Sequence, residues 1–325
     1  MSDFAIGCFG KLPIYPDFIR HNASNPEIAW LDQWFQEGIL FSKSKLGQGW
    51  AETFNKAEPW NFLFHPDNSG HLLLGIFIPS RDQGGRLYPF FLFMRIDHAG
   101  FHMPGYFAPA YFSSFLDDAW NMAHGGWKDM DMKAFLSAVE GMCVRIDGDS
   151  AATRERYLRH LQDNNVKGFW EDVYGDFGNP RKYLLTRNLN DILGPMRNNP
   201  SNKFGLGLKF PIAGMQSGET FDIPLWFDMI SRFLRQDKLM PLFFWNRRPS
   251  DNKPCMITFL SRPSPKSYLF FIRPDMDCDY WYDPAPDNAK EIERVLKILS
   301  KEQKDLLDNE SLSLASFLNA VETFG

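Results

Sequence analysis

With 325 residues, 44% of them hydrophobic and 16% aromatic, the chain is long enough for two cores and too apolar for disorder. A formal net charge of −5, with Lys and Arg scattered, removes the long-range field that gathers nucleic acid, and no run approaches the ~20 apolar residues of a membrane-spanning helix. Cys8, Cys143, Cys255 and Cys278 form no CxxC pair and the first residues show no leader pattern, so the cysteines read as reduced core thiols of a cytoplasmic protein.

In chain order, Phe4–Phe9 reads as a strand entering the loop GKLPIYPDF, after which Asn25 and Pro26 open a helix to about Lys43 with one apolar stripe. Trp60–Phe64, His71–Ile78 and Tyr88–Ile96 are apolar runs separated by the turn signals PDNSG and SRDQGGRL, which predicts a three-strand meander in a sheet covered on both faces. Helices are expected at Ala110–Met122 and Met130–Cys143, and the polar stretch from Ala151 to Pro200 reads as helices with turn-rich linkers. The chain then predicts a strand within KFGLGLKFPIAG, a helix at Pro224–Arg235, strands at Pro241–Trp245, Cys255–Leu260 and Tyr268–Arg273, and closing helices at Asn288–Leu299 and Leu312–Phe324.

This order describes an α/β (α+β) protein of mixed or antiparallel sheets flanked by helices, with an N-terminal lobe over residues 1–130, a helical connector over 131–200 and a C-terminal lobe over 201–325. Lys11-Leu12-Pro13-Ile14 recurs as Lys209-Phe210-Pro211-Ile212, Trp30 as Trp226, and FMRID as FIRPD. The recurrence raises internal duplication of the two lobes as an expectation beside chance composition.

The chemistry-bearing motifs are few. A phosphate loop needs a Ser or Thr and a continuous row of backbone N–H groups after its Gly-Lys, whereas Gly10-Lys11 is followed by Leu12 and Pro13. The stretch is therefore read as a rigid bend. Arg81, Asp82 and Arg86 around Gly84-Gly85 make a polar hairpin tip, suited either to an acidic or phosphorylated partner or to a local ion pair. Asp275, Asp277 and Asp279 begin like a calcium loop, but Tyr280 and Pro286 stand where its glycine and glutamate belong. His65, Asp67 and His71 lack the spacing of a zinc site, and no nucleophile elbow occurs, so neither a catalytic residue nor a metal or other cofactor is expected. The Pro- and Gly-broken segment around Tyr106, Phe107, Tyr111 and Phe112 is a candidate aromatic docking surface, with a cap over the core as the other reading.

Taken together, Gly7-x-x-Gly10-Lys11-Leu12-Pro13, Asp17-Phe18-Ile19-Arg20, Trp30, Trp34, Gly47-x-x-Trp50, Pro59-Trp60 and Pro79-Ser80-x-Asp82-x-x-Gly85-Arg86-x-x-Pro89 resemble the TagF/ImpM family of type VI secretion-associated proteins. The resemblance is clear over roughly residues 5–125 and departs at Pro16 and Gln83. It implies a longin-like fold and a cytoplasmic, non-enzymatic accessory protein that restrains type VI secretion assembly after translation by binding other components, notably a forkhead-associated scaffold protein. On this reading Gly10, Lys11, Pro13, Asp17 and Arg20 shape one loop, Arg81, Asp82, Gly85 and Arg86 shape its neighbour, and the two form one polar patch. The rival reading is a hydrolase acting on a phosphorylated substrate through Asp17, Arg20 and Arg86; a homodimer is left open.

Overall fold

The computed structural model of this chain describes residues 4–66, 69–142, 150–199, 204–214, 220–236, 242–250, 253–276 and 279–321. Among them the strands are β1 (Phe4–Gly10), β2 (Ile19–His21), β3 (Trp60–Phe64), β4 (His71–Ile78), β5 (Phe90–Asp97), β6 (Gly207–Pro211), β7 (Leu242–Asn246), β8 (Cys255–Phe259) and β9 (Trp281–Tyr282). The helices of the first half are α1 (Pro26–Leu46), α2 (Trp50–Lys56), α3 (Ala108–Tyr111), α4 (Ser113–Asn121) and α5 (Met132–Glu140). They are followed by α6 (Ser150–Asp163), α7 (Val166–Tyr174), α8 (Arg181–Asn198), α9 (Asp222–Leu234), α10 (Leu269–Ile272), α11 (Ala289–Ile298), α12 (Lys301–Leu307) and α13 (Leu314–Val321).

All nine strands lie in one mixed sheet of order β2-β1-β5-β4-β3-β7-β8-β6-β9, antiparallel except where β6 meets β9. The two halves of the chain join where β3 pairs with β7, Phe62 opposite Phe244, so their backbone groups satisfy each other across the seam. The strands read as unbroken apolar runs because helices cover both faces, and within each strand neighbours serve opposite cores. Phe62, Phe77, Phe91 and Phe244 face α1, α2 and α10, whereas Leu63, Leu74, Leu92 and Phe243 face the core built by α4–α9 and α13.

Helix α1 forms where its local chemistry asks for it. The Asn25 side chain accepts the Ile28 N–H at 3.0 Å, Pro26 occupies the first turn, and Ile28, Leu31, Asp32, Phe35 and Ile39 fall on one buried stripe. Gly38 on that stripe lets α1 approach the C-terminal half: a Cβ there would sit 2.4 Å from Cβ of Tyr268. Trp34 Nε1 donates to the carbonyl of Pro263 at 3.1 Å in the same contact.

Three expectations are corrected. Residues 268–273 are not a strand: a 3-10 turn at Pro265–Tyr268 leads into α10, whose Leu269, Phe270, Phe271 and Ile272 are all buried. A run apolar at every position carries no period by which strand and helix can be told apart. The recurrent motifs do not mark a repeated fold, because α9 packs on the sheet face opposite to α1 and the counterpart of β5 is helical. Nor is the aromatic segment a surface. Tyr106, Phe107 and Phe112 are buried and Tyr111 is half-buried; Tyr106 stacks on Phe227 of α9 at 5.3 Å and Phe107 meets Tyr157 of α6 at 5.1 Å. The proline and glycine breaks allow short helical turns that aim successive rings inward, and the hydroxyls of Tyr106 and Tyr157 donate to Asp228 at 3.1 and 2.6 Å.

Candidate functional site

The loop of residues 11–18 is the connection of a hairpin in which β2 folds back on the end of β1, Gly10 opposite Ile19 and Phe9 opposite Arg20. Gly10 adopts φ 118°, a region closed to side chains, and lies against β5, where a Cβ would stand 2.1 Å from the Pro89 carbonyl oxygen. Pro13 is half-buried, and the Tyr15 N–H donates to Leu12 O at 3.1 Å to close the bend.

The hairpin between β4 and β5 meets this loop. Gln83 N donates to Tyr15 O at 2.9 Å, and Arg86 Nη2 donates to Pro16 O at 2.8 Å. At the junction sits Asp82, 1% exposed, whose Oδ2 accepts from Lys11 Nζ at 2.9 Å and Arg86 Nε at 2.7 Å while Oδ1 accepts the Arg86 N–H at 2.9 Å. Gly85 takes φ 81° so that the chain can turn back and present Arg86 to the same carboxylate. Lys11 is also buried and lies 4.9 Å from the ring centroid of Phe18. One buried ion pair thus joins two loops that are far apart in sequence.

Burial alone would favour a protonated Asp82, but hydrogen bonds from Lys11 and from the Arg86 backbone and side chain, with the Lys11 charge, outweigh it and lower its pKa from 3.8 to about 2. A depressed carboxylate contributes stability that is complete above its unfolded value and is lost as the pH falls through its folded value. Between pH 3.8 and about 2, therefore, the native chain should lose stability more steeply than Asp82→Asn. Urea midpoints taken across that window check this; parallel curves would mean that the pair contributes nothing.

The outer face of the junction is polar. Asp17, Arg20, Arg81, Gly85 and Arg86 are exposed, and Asp17 Oδ1 lies 3.6 Å from Arg86 Nη2 while accepting the Phe18 N–H at 2.9 Å. The Arg20 guanidinium lies 4.7 Å from the Phe9 ring centroid, and the Arg81 side chain makes no ion pair or hydrogen bond among the described residues. Arg86 is paired with Asp82 and Asp17 and Arg20 faces Asp32, which leaves Arg81 as the arginine of this face without an ion-pair partner among the described residues, suited to a carboxylate or phosphate group.

Two contributors were not singled out from the sequence. Asp32 of α1 accepts from Tyr88 Oη at 2.5 Å and lies 3.5 Å from Arg20 Nη2, tying the patch to the helix beneath it. Burial first, then the hydrogen bond and charge of Asp32, push the Tyr88 hydroxyl far above its ordinary value, so it remains a donor. The signal was available: Asp32 falls among Ile28, Leu31 and Phe35 on an otherwise apolar stripe, where a carboxylate requires a partner. Of the metal-like groupings, His71 is engaged instead by Arg95 at 2.8 Å, and Asp275 forms a two-pronged pair with Arg273 at 3.0 Å. Asp67, Asp277, Cys143 and Cys278 lie outside the described residues, as do Cys143, Pro241 and Phe324 at three predicted element ends; Cys8 and Cys255 are buried free thiols.

Residues 7–142 match the family model of the TagF N-terminal domain, described as type VI secretion system-associated. No curated protein matches the chain. Its fold is similar to the crystal structure of PA0076 from Pseudomonas aeruginosa PAO1, with 12% identity over 86% of this chain and 98% of that one and a TM-score of 0.52. The family match ends after α5, whereas the likeness of fold continues into the half that extends the sheet beyond β3.

Proposed function

We propose that the chain is a member of the TagF family of type VI secretion system-associated proteins, whose N-terminal domain model matches residues 7–142, and that it is a non-enzymatic accessory regulator. It acts in the cytoplasm, restraining assembly of the secretion system after translation by binding a forkhead-associated scaffold component. The observation that supports this reading is the division of labour in the loop pair. Asp82 is consumed in the interior by Lys11 and Arg86, while Arg20, Arg81 and Asp17 stand with the Arg86 guanidinium on the outer face. A rigid rim that offers the unpaired Arg81 guanidinium is what a recognition surface needs, since ordering costs are met before the partner arrives.

Arg81→Glu tests the surface without touching the buried pair. Affinity for the purified scaffold component, measured by biolayer interferometry, should fall at least ~10-fold, mainly in association rate and more so at low salt. Unchanged affinity would move the docking surface elsewhere.

A further inference from the structure

A cavity of about 280 Å³ lies between the end of α6, α7 and the start of α9, and no residue of the loop pair lines it. Its size stands at the lower edge of small-molecule sites, roughly 300–1,000 Å³, which admits a short aliphatic molecule or a single side chain. The floor is apolar. Phe169 packs edge-on against Trp226 at 5.3 Å and Phe221 meets the His160 ring at 5.6 Å, and each phenylalanine keeps 7% of its surface exposed for an occupant to touch.

The charges on the wall are of one sign. Asp172 and Asp222 bring carboxylates, and among the described residues no Lys or Arg lines the cavity. Asp222 is saturated by Arg247 Nη1 at 2.7 Å, Arg247 Nη2 at 2.5 Å and the N–H groups of Ala213 and Ile223 at 3.0 and 2.9 Å. Arg247 itself is not part of the lining, so the pair turns its negative end toward the space. Asp172 is exposed, and its carboxylate makes no hydrogen bond or ion pair among the described residues.

The third ionisable group is neutral: Asn164 Nδ2 donates to His160 Nδ1 at 3.1 Å, and burial lowers the His160 pKa from 6.5 against the pull of Asp222, Asp172 and Asp163. Burial, then Asp222 and Glu171, raise the Asp172 carboxyl above its ordinary 3.8, with His160 opposing. Groups on two different helices thus register one negative potential, and the Asp172 carboxylate alone has no compensation. Perturbed groups that converge on a cleft mark a candidate site, and here the missing element is a positive charge.

We propose that this cavity binds a small aliphatic cation, an ammonium or guanidinium on a short alkyl arm, with Asp172 accepting its N–H groups and Phe169 and Phe221 covering the arm. Aromatic rings attract such a cation while sheltering its alkyl carbons, and the neutral His160 adds no opposing charge. A free amine and a Lys or Arg side chain of a partner present the same chemistry.

The test uses the full chain with n-butylamine and butylguanidine, against 1-butanol and butyrate as neutral and anionic controls, following the thermal midpoint and tryptophan fluorescence. One of the two cations should raise the midpoint saturably by roughly 2 °C, with both controls inert. Asp172→Asn should weaken that response at least ~10-fold, the loss of a hydrogen-bonded charge. It should leave the unliganded midpoint unchanged or higher, because a carboxylate whose pKa is raised on folding costs stability when ionised. Glu171→Gln, a neighbouring carboxylate outside the lining, should change binding less than ~2-fold. Blocked Gly-Lys-Gly and Gly-Arg-Gly peptides separate the sources: tighter binding than the free amines assigns the site to a partner's side chain, and weaker binding to a free amine. No saturable response to either cation up to ~20 mM, an equal response to butanol or butyrate, or equal binding by Asp172→Asn and Glu171→Gln would overturn the proposal. Capture of the scaffold component through Arg81 is a separate measurement on other residues, so either reading can fail without the other.

Discussion

Gly10→Val is expected to destabilise the chain by about 4 kcal/mol, combining ~1–3 kcal/mol of backbone strain with ~1–3 kcal/mol of overpacking. The φ of 118° is one that a β-branched residue does not adopt, and the new Cβ would stand 2.1 Å from Pro89 O and 2.9 Å from Phe90 Cα. Both obstacles are backbone, so no rotamer change relieves them. The chain must either flip Gly10 out of its dihedral, which pulls Lys11 away from Asp82, or separate β1 from β5 at the Gly10–Phe90 pair. Gly85→Ala is the control, because its φ of 81° imposes strain while nothing lies within 4 Å of the added carbon. It should cost only about 1 kcal/mol. Urea denaturation of the two variants separates strain from collision; equal losses would show that Gly10 is present for its dihedral alone.

The same two loops show what is written locally and what is not. Gly10, Pro13 and Gly85 announce bends because glycine and proline act on their own dihedrals, and Asn25-Pro26 announces the start of α1 for the same reason. β3 and β4 begin and end where their apolar runs do, since turns bound them on both sides. That Lys11 would reach Asp82, or that β3 would pair with β7, depends on how distant segments pack, and nothing local encodes it. The helix α10 was misread, and the aromatic segment was left between a docking surface and a cap over the core, for one shared reason. A residue's apolar character states that it seeks cover without saying which element supplies it, and a sheet buried on both faces removes the alternation that would have answered.

Phe35→Ala is expected to remove about 3–5 kcal/mol, the range for deleting a fully buried aromatic ring whose surroundings cannot collapse. Phe35 is 0% exposed and its ring centroid lies 4.7 Å from Phe91, 4.9 Å from Phe77 and 5.3 Å from Tyr268. Two of those neighbours are strand residues held in register by the sheet, and the third follows Pro265 in a turn pinned against Gly38. The strand backbones of Phe77 and Phe91 cannot advance into the vacated space without breaking sheet hydrogen bonds, so only rotation of the rings can fill part of it. The same ring therefore ties the N-terminal meander to a segment of the C-terminal half, in parallel with the β3–β7 pairing and the Trp34–Pro263 hydrogen bond. With three independent links across the seam, the halves should unfold together. In Phe35→Ala, hydrogen-exchange protection in β4–β5 and in β7–β8 should fall by the same free energy, with a single urea transition seen by fluorescence and by far-ultraviolet circular dichroism. A loss confined to one half, or two separated transitions, would show that the continuous sheet holds two units able to unfold apart.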